Sequence, residues 1–171
     1  MVLRFLEMNF LENEMLTTQD EATNYHTFRH IERVRNLLNE CIADLMRRGE
    51  LHDQTKLDSP EVELFTQYTP KLAGCTYGSD EYKGYLAAIK PALDHHYAHN
   101  RHHPEHHKNG VNDMNLLDIV EMLCDWKAAS ERHNDGNIRK SIEINANRFG
   151  MSPQLVKIME NTADLLFKSV G

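Results

Sequence analysis

Residues 18–49 read TQDEATNYHTFRHIERVRNLLNECIADLMRRG, and this stretch decides the fold class. Its apolar residues return every three or four positions and, at 100° per residue, share one side of a helix. Thr18 or Asp20 is suited to cap the start of this helix, and Gly49 to end it after Arg48. We therefore predict a long amphipathic helix whose apolar face points towards a core. That face comprises Phe28, Ile31, Val34, Leu37, Leu38, Cys41, Ile42 and Leu45.

The remainder of the chain also has the patterns of helices. Alternating apolar and polar positions with β-branched residues, the pattern of a strand, are almost absent. Pro91 is expected to kink or break the helix that contains it. The sequence therefore predicts an all-α fold. Capping and helix-breaking residues predict five further helices. Three of them run over about 60–69, 80–100 and 113–133, a fourth ends at Phe149-Gly150, and the last begins at Ser152-Pro153. Turns are predicted at 74–79, 108–110 and 134–136.

Composition narrows the classes of protein. A chain of 171 residues with 40% hydrophobic and 26% charged residues suits a single globular domain, residues 1–171. Its 19 basic and 26 acidic residues give a net charge of −7, which argues against stable binding to nucleic acid or anionic lipid. No apolar stretch is long enough for a membrane span, and the first ten residues show no secretory signal. Three cysteines without a CxxC pair favour reduced thiols and a cytoplasmic location.

Histidine is the unusual component, because seven of the 11 histidines lie within residues 95–107. On the helix over 80–100, the positions of His96 and Asn100 continue the apolar side, whereas those of His95 and His99 point away. His96 is therefore the best inward ligand, and His103 follows if the helix persists up to Pro104. The alternative is a solvated histidine-rich loop that binds metal only adventitiously.

Other metal-ligating residues are spread along the chain. His30 falls inside the apolar face of the first helix and His26 lies at its edge. A histidine in such a face is either a hydrogen-bonded core residue or a ligand. The adjacent pair His52-Asp53 offers an imidazole nitrogen and a carboxylate oxygen, although a polar helix start explains the dipeptide equally well.

The predicted helix over 113–133 is apolar in almost every direction and should be buried. Its three carboxylates, Asp118, Glu121 and Asp125, share one narrow arc. This arc is either the solvent face of the helix, or it aims Asp125 at a buried cation. In both cases Asp118 is expected to be dispensable, so that Asp118→Ala should be nearly silent.

Three classes of enzyme are excluded by incomplete motifs. His26 and His30 have the HxxxH spacing but no Glu after the first His, so the zinc-protease motif lacks its base. His103-Pro104-Glu105 matches HxE of the zinc deaminases, but no PCxxC follows. A glycine-rich phosphate loop and a GxSxG elbow are both missing.

The candidate ligands follow one another along the chain as His30, the pair His52-Asp53, the histidine cluster and Asp125. This order resembles that of the HD-domain superfamily of metal-dependent phosphohydrolases. Residues 28–34, FRHIERV, are similar to the first-helix motif of that family, and residues 52–56, HDQTK, are similar to its HD-x-x-K version. His30 precedes His52 by 22 residues, and Asp125 follows Asp53 by 72. The likeness covers about residues 24–133 and is closest to a branch found in phages and bacteria.

The resemblance implies an HD-like helical bundle with a metal centre in its core, held by His30, His52, Asp53 and Asp125. Asp53 would also orient the attacking water, and Lys56 would neutralise the phosphate or protonate the leaving oxygen. The implied cofactor is a divalent transition metal (Mn, Fe, Co, Ni or Zn), one or two per chain. The implied reaction is hydrolysis of a nucleotide or related phosphate ester, in the cytoplasm of a bacterium or of the host of a phage.

Some members of that family hold a second metal through extra histidines between the HD pair and the last Asp. In this chain those histidines are crowded together, and the GYP segment of the cyclic-di-GMP enzymes is missing. Arg101 is a further phosphate candidate, or else a solvated surface arginine. Candidates for a second metal or for substrate are His26, His96, His102, His103, His106 and His107.

Two other functions fit the same residues. One is a di-iron oxygenase on an HD-like fold, which the abundance of histidine favours. The other is a catalytically silent nucleotide-binding module, against which the intact HD motif argues. The expected partner is a small phosphorylated molecule, above all a nucleotide, and we expect neither a membrane nor stable binding to nucleic acid. Assembly into a homo-oligomer stays open.

Overall fold

The computed structural model describes residues 2–76, 79–132 and 136–167, with side chains from residue 19 onwards. It is helical, and no strand occurs within those ranges, so the all-α prediction is confirmed. The chain divides into two compact units, Met1–Met46 and Arg47–Gly171. The single domain stays a prediction. Residues 134 and 135 of the turn predicted at 134–136, and residues 77 and 78 of the loop predicted at 74–79, lie outside the described residues.

The first helix, α1, spans Val2–Leu51, and its residues up to Met46 make up the described part of the N-terminal unit. The predicted cap at Thr18 or Asp20 is wrong, because the helix begins well before it. The predicted end is also wrong, since α1 passes through Gly49. The apolar face was expected to lie against a core, but it is exposed: Phe28 is 70%, Leu38 is 58% and Ile42 is 53% exposed.

The C-terminal unit contains five helices within its described residues. They are α2 (Glu61–Gly74), α3 (Asp80–His99), α4 (Leu116–Ser130), α5 (Ile138–Phe149) and α6 (Pro153–Leu166). Three short 3₁₀ helices connect them, at Gln54–Leu57, Pro104–His106 and Gly110–Asp113. The helices contact one another in the pairs α2–α3, α4–α5 and α5–α6.

The hydrophobic core lies among α4, α5 and α6. Five fully buried residues form it, and Trp126 stacks on Phe149 at its edge, with 6.5 Å between the ring centroids. α4 was predicted to be apolar all round and buried, yet Leu116 at its start is 78% exposed. The core therefore contacts only one side of α4, and the arc of carboxylates lies on another side of that helix. The five core residues are Met122, Leu123, Ile142, Met159 and Ala163.

Helix boundaries follow their capping residues. Ser79 and Ser152 each accept a hydrogen bond from a backbone N–H of the first turn, at the starts of α3 and α6. Gly150 ends α5 with φ of 61°, a left-handed conformation that suits glycine. Pro70 and Pro91 lie inside α2 and α3, which continue past them. The break expected at Pro91 is therefore not found.

Within the ranges that the structure covers, no helix combines the length and the hydropathy that crossing a membrane requires.

Candidate metal centre

Asp53 occupies the turn between the end of α1 and the first 3₁₀ helix. Its φ of 57° is the only left-handed value of a non-glycine residue among the described residues. That conformation costs an L-residue about 1–2 kcal/mol, although aspartate tolerates it better than most. The tight turn directs the carboxylate inwards, beside the neighbouring His52.

Both oxygens of the Asp53 carboxylate lie close to side-chain nitrogen atoms. Lys56 Nζ donates to Oδ2 at 2.6 Å, and His96 Nε2 lies 3.2 Å from Oδ1. Burial opposes ionisation of this carboxyl, but the contacts with His96 and Lys56 outweigh it and hold its pKa well below the usual range. Asp53 is therefore an anion placed at the centre of a cluster of imidazoles.

Glu121 of α4 orients two of those imidazoles. Its Oε1 lies 3.0 Å from Nδ1 of His52 and 3.2 Å from Nδ1 of His102. Arg48 donates to the other oxygen at 3.2 Å, and these contacts lower the pKa of Glu121 despite its burial. An ionised carboxylate can only accept, so each Nδ1 carries the hydrogen and each Nε2 is the nitrogen left for other partners.

Glu61 of α2 does the same for His96. It is fully buried, and its Oε2 accepts from Nδ1 of His96 at 2.8 Å. Its other oxygen accepts from Nδ1 of His95 at 2.7 Å. The expectation that His95 points away from the interior is therefore wrong, because the start of α2 brings a buried acceptor to it. His99 is exposed, as its position on α3 predicted.

Three imidazoles thus present Nε2 towards Asp53. The Nε2 atoms of His52 and His102 are each 3.6 Å from an oxygen of Asp53. Asp53 Oδ1 and His102 Nε2 are both buried and have no hydrogen-bond partner. Two electron-rich atoms that face each other without a proton between them are the arrangement that a cation satisfies.

Two more side chains complete the cluster. His103 Nε2 lies 2.9 Å from His96 Nε2, and Asp125 Oδ1 lies 3.7 Å from His52 Nε2. Nitrogen ligands about 2.0–2.1 Å from an ion are about 2.9 Å apart where they lie at right angles, as in octahedral coordination, and about 3.3 Å apart in a tetrahedral site. The separation of the two histidines therefore fits neighbouring ligands of one ion.

The candidate ligand atoms form three overlapping groups, in each of which all atoms lie within 4.8 Å of one another. Asp53 belongs to two of the groups, so one carboxylate can serve two ions. Glu121 also falls in a group, but its oxygen already binds two N–H donors. The groups are Asp53 with His96, His102 and His103; His52 with Asp53 and Asp125; and His52 with His102 and Glu121.

Two histidine pKa values show the electrostatics of the centre. Asp125 and Glu121 raise the pKa of His52 to about 10 against the effect of burial, because three carboxylates surround it. Burial and the neighbouring imidazoles of His102 and His96 lower the pKa of His103 to about 3. His103 therefore keeps a free lone pair at neutral pH, whereas a cation that binds at His52 must displace a proton.

The arc of α4 is not a solvent face. Asp118 is fully buried and closes a capping box with Asn115 at the start of α4. It also accepts from Arg48 at 2.8 Å and from Arg101 at 3.0 Å. The expectation that Asp118→Ala would be nearly silent is therefore wrong, since removing it leaves two guanidinium groups without their shared partner.

We call residues 95–107 the tract. Its Arg101 and its last two histidines lie outside the cluster. The guanidinium of Arg101 binds Asp118, so its role towards phosphate stays a prediction. His106 Nδ1 lies 2.9 Å from the carbonyl oxygen of Tyr97, and His107 Nε2 lies 2.9 Å from that of Arg101. Both histidines hold the backbone of the tract in place, and neither belongs to any of the three groups.

His26 and His30 lie on α1 in the N-terminal unit, and both are exposed. No group found among the described residues includes either of them. Their assignment as ligands of a metal stays a prediction that rests on the resemblance.

Two residues of the centre, Glu61 and Glu121, were not predicted as functional from the sequence. Glu121 had a detectable signal, because it lies one turn before Asp125 on the same arc of the helix. Glu61 follows Pro60 at the start of α2 and reads as an ordinary first-turn acid. Only the contact between α2 and α3 reveals its role.

The comparisons with known proteins identify a family. The model of a family of unknown function, DUF5662, matches residues 19–165, and the chain belongs to that family. No curated protein and no solved structure matches the chain at a significant level.

Proposed function

We propose that this protein is a metal-dependent phosphohydrolase that acts on a nucleotide or a related small phosphate ester. The observation that supports the proposal is the Asp53 carboxylate, whose buried oxygen faces an equally unpartnered imidazole nitrogen. The donor set of imidazole nitrogen and carboxylate oxygen suits Mn, Fe, Co, Ni or Zn. The ligands would be His52, Asp53, Asp125, His96, His102 and His103.

The contacts of each residue indicate its role in the proposed reaction. A divalent ion, when bound there, would supply Lewis-acid polarisation of a phosphoryl oxygen and would acidify a water. Asp53 would also orient the attacking water through a hydrogen bond to a carboxylate oxygen, and its lowered pKa keeps that oxygen an acceptor. Glu61 and Glu121 would hold the imidazoles in the tautomer that ligates through Nε2.

Lys56 would bind the phosphate. Its Nζ is 2.6 Å from Asp53, and its side chain is 40% exposed, so the ammonium lies at the boundary between the cluster and solvent. A cation there would neutralise charge that develops on the phosphoryl oxygens or donate a proton to the leaving oxygen. The net charge of −7 supports a small substrate rather than a nucleic acid.

Metal analysis combined with a panel of nucleotides and phosphate esters tests the proposal. Protein purified without a tag should contain at least one transition metal per chain and release phosphate from at least one compound. Asp125→Ala should lower the rate by orders of magnitude and reduce the metal content. The matched control is Asp94→Ala on α3, whose carboxylate is 60% exposed and binds only Lys90 among the contacts found.

Two results would contradict the proposal. One is full activity in protein that is free of metal. The other is an Asp125→Ala variant that keeps the rate and the metal content of the Asp94→Ala control.

The histidines His96, His102 and His103 favour one alternative, an oxygenase with two iron ions. They add three ligating nitrogen atoms to the group of His52, Asp53 and Asp125, in which two of the three ligands are carboxylates. Assays without oxygen separate the two functions. Phosphate release in the absence of oxygen supports the hydrolase, and a strict need for oxygen supports the oxygenase.

A further inference from the structure

The apolar side of α1 between residues 24 and 46 is uncovered in the described chain. Its large side chains lie on one half of the helix, and we call this surface the α1 face. Arg35 and His30 are the basic residues within that half, and the other Arg, Asp and Glu side chains between 24 and 46 fall outside it. The exposed fractions are Phe28 70%, Ile31 54%, Val34 40%, Leu37 43%, Leu38 58%, Ile42 53% and Met46 65%.

The area of the α1 face is that of a protein interface. A large apolar side chain that is half exposed presents on the order of 100 Å², so the face presents roughly 700 Å². Stable interfaces bury about 800 Å² on each partner, and soluble monomers rarely expose an apolar patch of this size. The α1 face therefore has the area that one copy contributes to a stable dimer.

We propose that the α1 face binds the α1 face of a second copy of this chain, with the two helices antiparallel and crossing near residues 36 and 37. In this register, Phe28 of one copy lies opposite Leu45 of the other, and Ile31 lies opposite Ile42. Each apolar layer then recurs on both sides of the twofold axis, as a self-complementary interface requires.

Arg35 selects the antiparallel orientation. In a parallel pair in register, Arg35 of one helix would lie directly against Arg35 of the other within the apolar layers. In the antiparallel pair it lies opposite Leu38 instead, next to the axis. Its aliphatic stem can then cover apolar surface while the guanidinium reaches solvent.

The oligomeric state of the full-length protein tests the dimer. Sedimentation velocity at micromolar concentration should show a dimer for the wild type. Leu38→Lys should weaken the dimer by about 100-fold, because it removes a central apolar side chain and places a lysine opposite Arg35 of the other copy. The matched control, Asn36→Lys, lies on the opposite side of α1 and should stay dimeric.

Circular dichroism shows whether the variants are folded. Leu38 is already exposed within one chain, so the lysine variant should keep the helix content of the wild type. A wild type that is monomeric at all concentrations overturns the proposal. So does a Leu38→Lys variant that dimerises as well as Asn36→Lys.

Disulfide cross-linking tests the orientation, in protein whose three native cysteines are replaced by serine. A mixture of Ile31→Cys and Ile42→Cys chains should form a disulfide between the two variants, whereas Ile31→Cys by itself should not. In the antiparallel pair, two copies of position 31 lie about 16 Å apart along the axis. Cross-linking of position 31 only to itself would overturn the antiparallel arrangement.

Discussion

Glu121 accepts from His52 and His102 with one oxygen and from Arg48 with the other. A single side chain thus sets the tautomer of two candidate ligands. Glu61 has the same relation to His96 through α2. Replacing a carboxylate that orients a ligating histidine usually weakens metal binding, although it removes no ligand.

Glu121→Gln should therefore lower the affinity for metal by about 10- to 100-fold, with the fold preserved. The neutral amide keeps one acceptor, but it cannot serve two N–H groups and an arginine together. A competition titration against a chromophoric chelator measures the affinity. Glu143→Gln on the exposed side of α5 is the control, and equal affinities in the two variants would refute the role of Glu121.

His96→Ala tests whether the tract adds a second ion. The variant should hold about one ion fewer per chain than the wild type, while the ion at His52, Asp53 and Asp125 persists. His99→Ala, one turn farther along α3 and exposed, should change nothing. Elemental analysis measures the number of metal ions per chain. An unchanged number in His96→Ala would show that the tract holds no second ion.

At the scale of the element, the start of α4 depends on Asp118. Its carboxylate accepts the N–H of Asn115 at 3.0 Å, and it binds the guanidinium groups of Arg48 and Arg101. Burial disfavours the charge, but these contacts hold the pKa of Asp118 below its ordinary value of 3.8. The capping box and the two arginines connect α4 with the end of α1 and with the tract.

Asp118→Asn should lower the free energy of unfolding by roughly 2 kcal/mol, because it removes the buried charge that binds Arg101 and that Arg48 shares with Glu121. Urea denaturation measures the loss. Asp80→Asn, an exposed acid in the first turn of α3, should stay within about 0.5 kcal/mol of the wild type. A loss no larger than that of the control would mean that Asp118 does not hold α4.

The pH dependence of this loss has a definite sign. Asp118 has the higher pKa in the unfolded chain, so the unfolded chain binds the proton first as the pH falls. The difference between wild type and Asp118→Asn should be constant above about pH 5 and shrink below about pH 4. Urea denaturation of both proteins across this range checks it, and a difference that grows in acid would contradict the lowered pKa.

At the scale of the whole molecule, metal and folding should be coupled. The candidate ligands come from the turn after α1, from the tract and from α4, segments that are distant in the sequence. An ion that joins them binds the folded chain and not the unfolded one. Free metal at 100 times its Kd would stabilise the fold by about 2.7 kcal/mol.

Removal of metal with a chelator should therefore lower the melting temperature by roughly 5–10 °C for a chain of this size. Differential scanning calorimetry of the holoprotein before and after chelation measures the shift. Re-addition of the metal found in the purified protein should restore the original value. An identical melting temperature in both states would show that the cluster holds no ion in the folded protein.

Local signals in the sequence determined the class of fold and several boundaries. Ser79, Ser152 and Gly150 act within one turn of their own helices, so their effect is readable without a tertiary structure. The helical period likewise placed His96 and Asn100 on the inner side of α3, where both are buried. Period and capping depend only on neighbours in the chain, which is why these predictions are confirmed.

Only the tertiary structure decided which polar side chains meet. The carboxylates of α4 had the pattern of a solvent face, but the core covers the other side and turns this arc towards His52 and His102. Glu61 acquires its role from the packing of α2 on α3, and Asp53 from a left-handed turn that no helical period describes. A period specifies which residues share a side of a helix, whereas packing between helices specifies what that side faces.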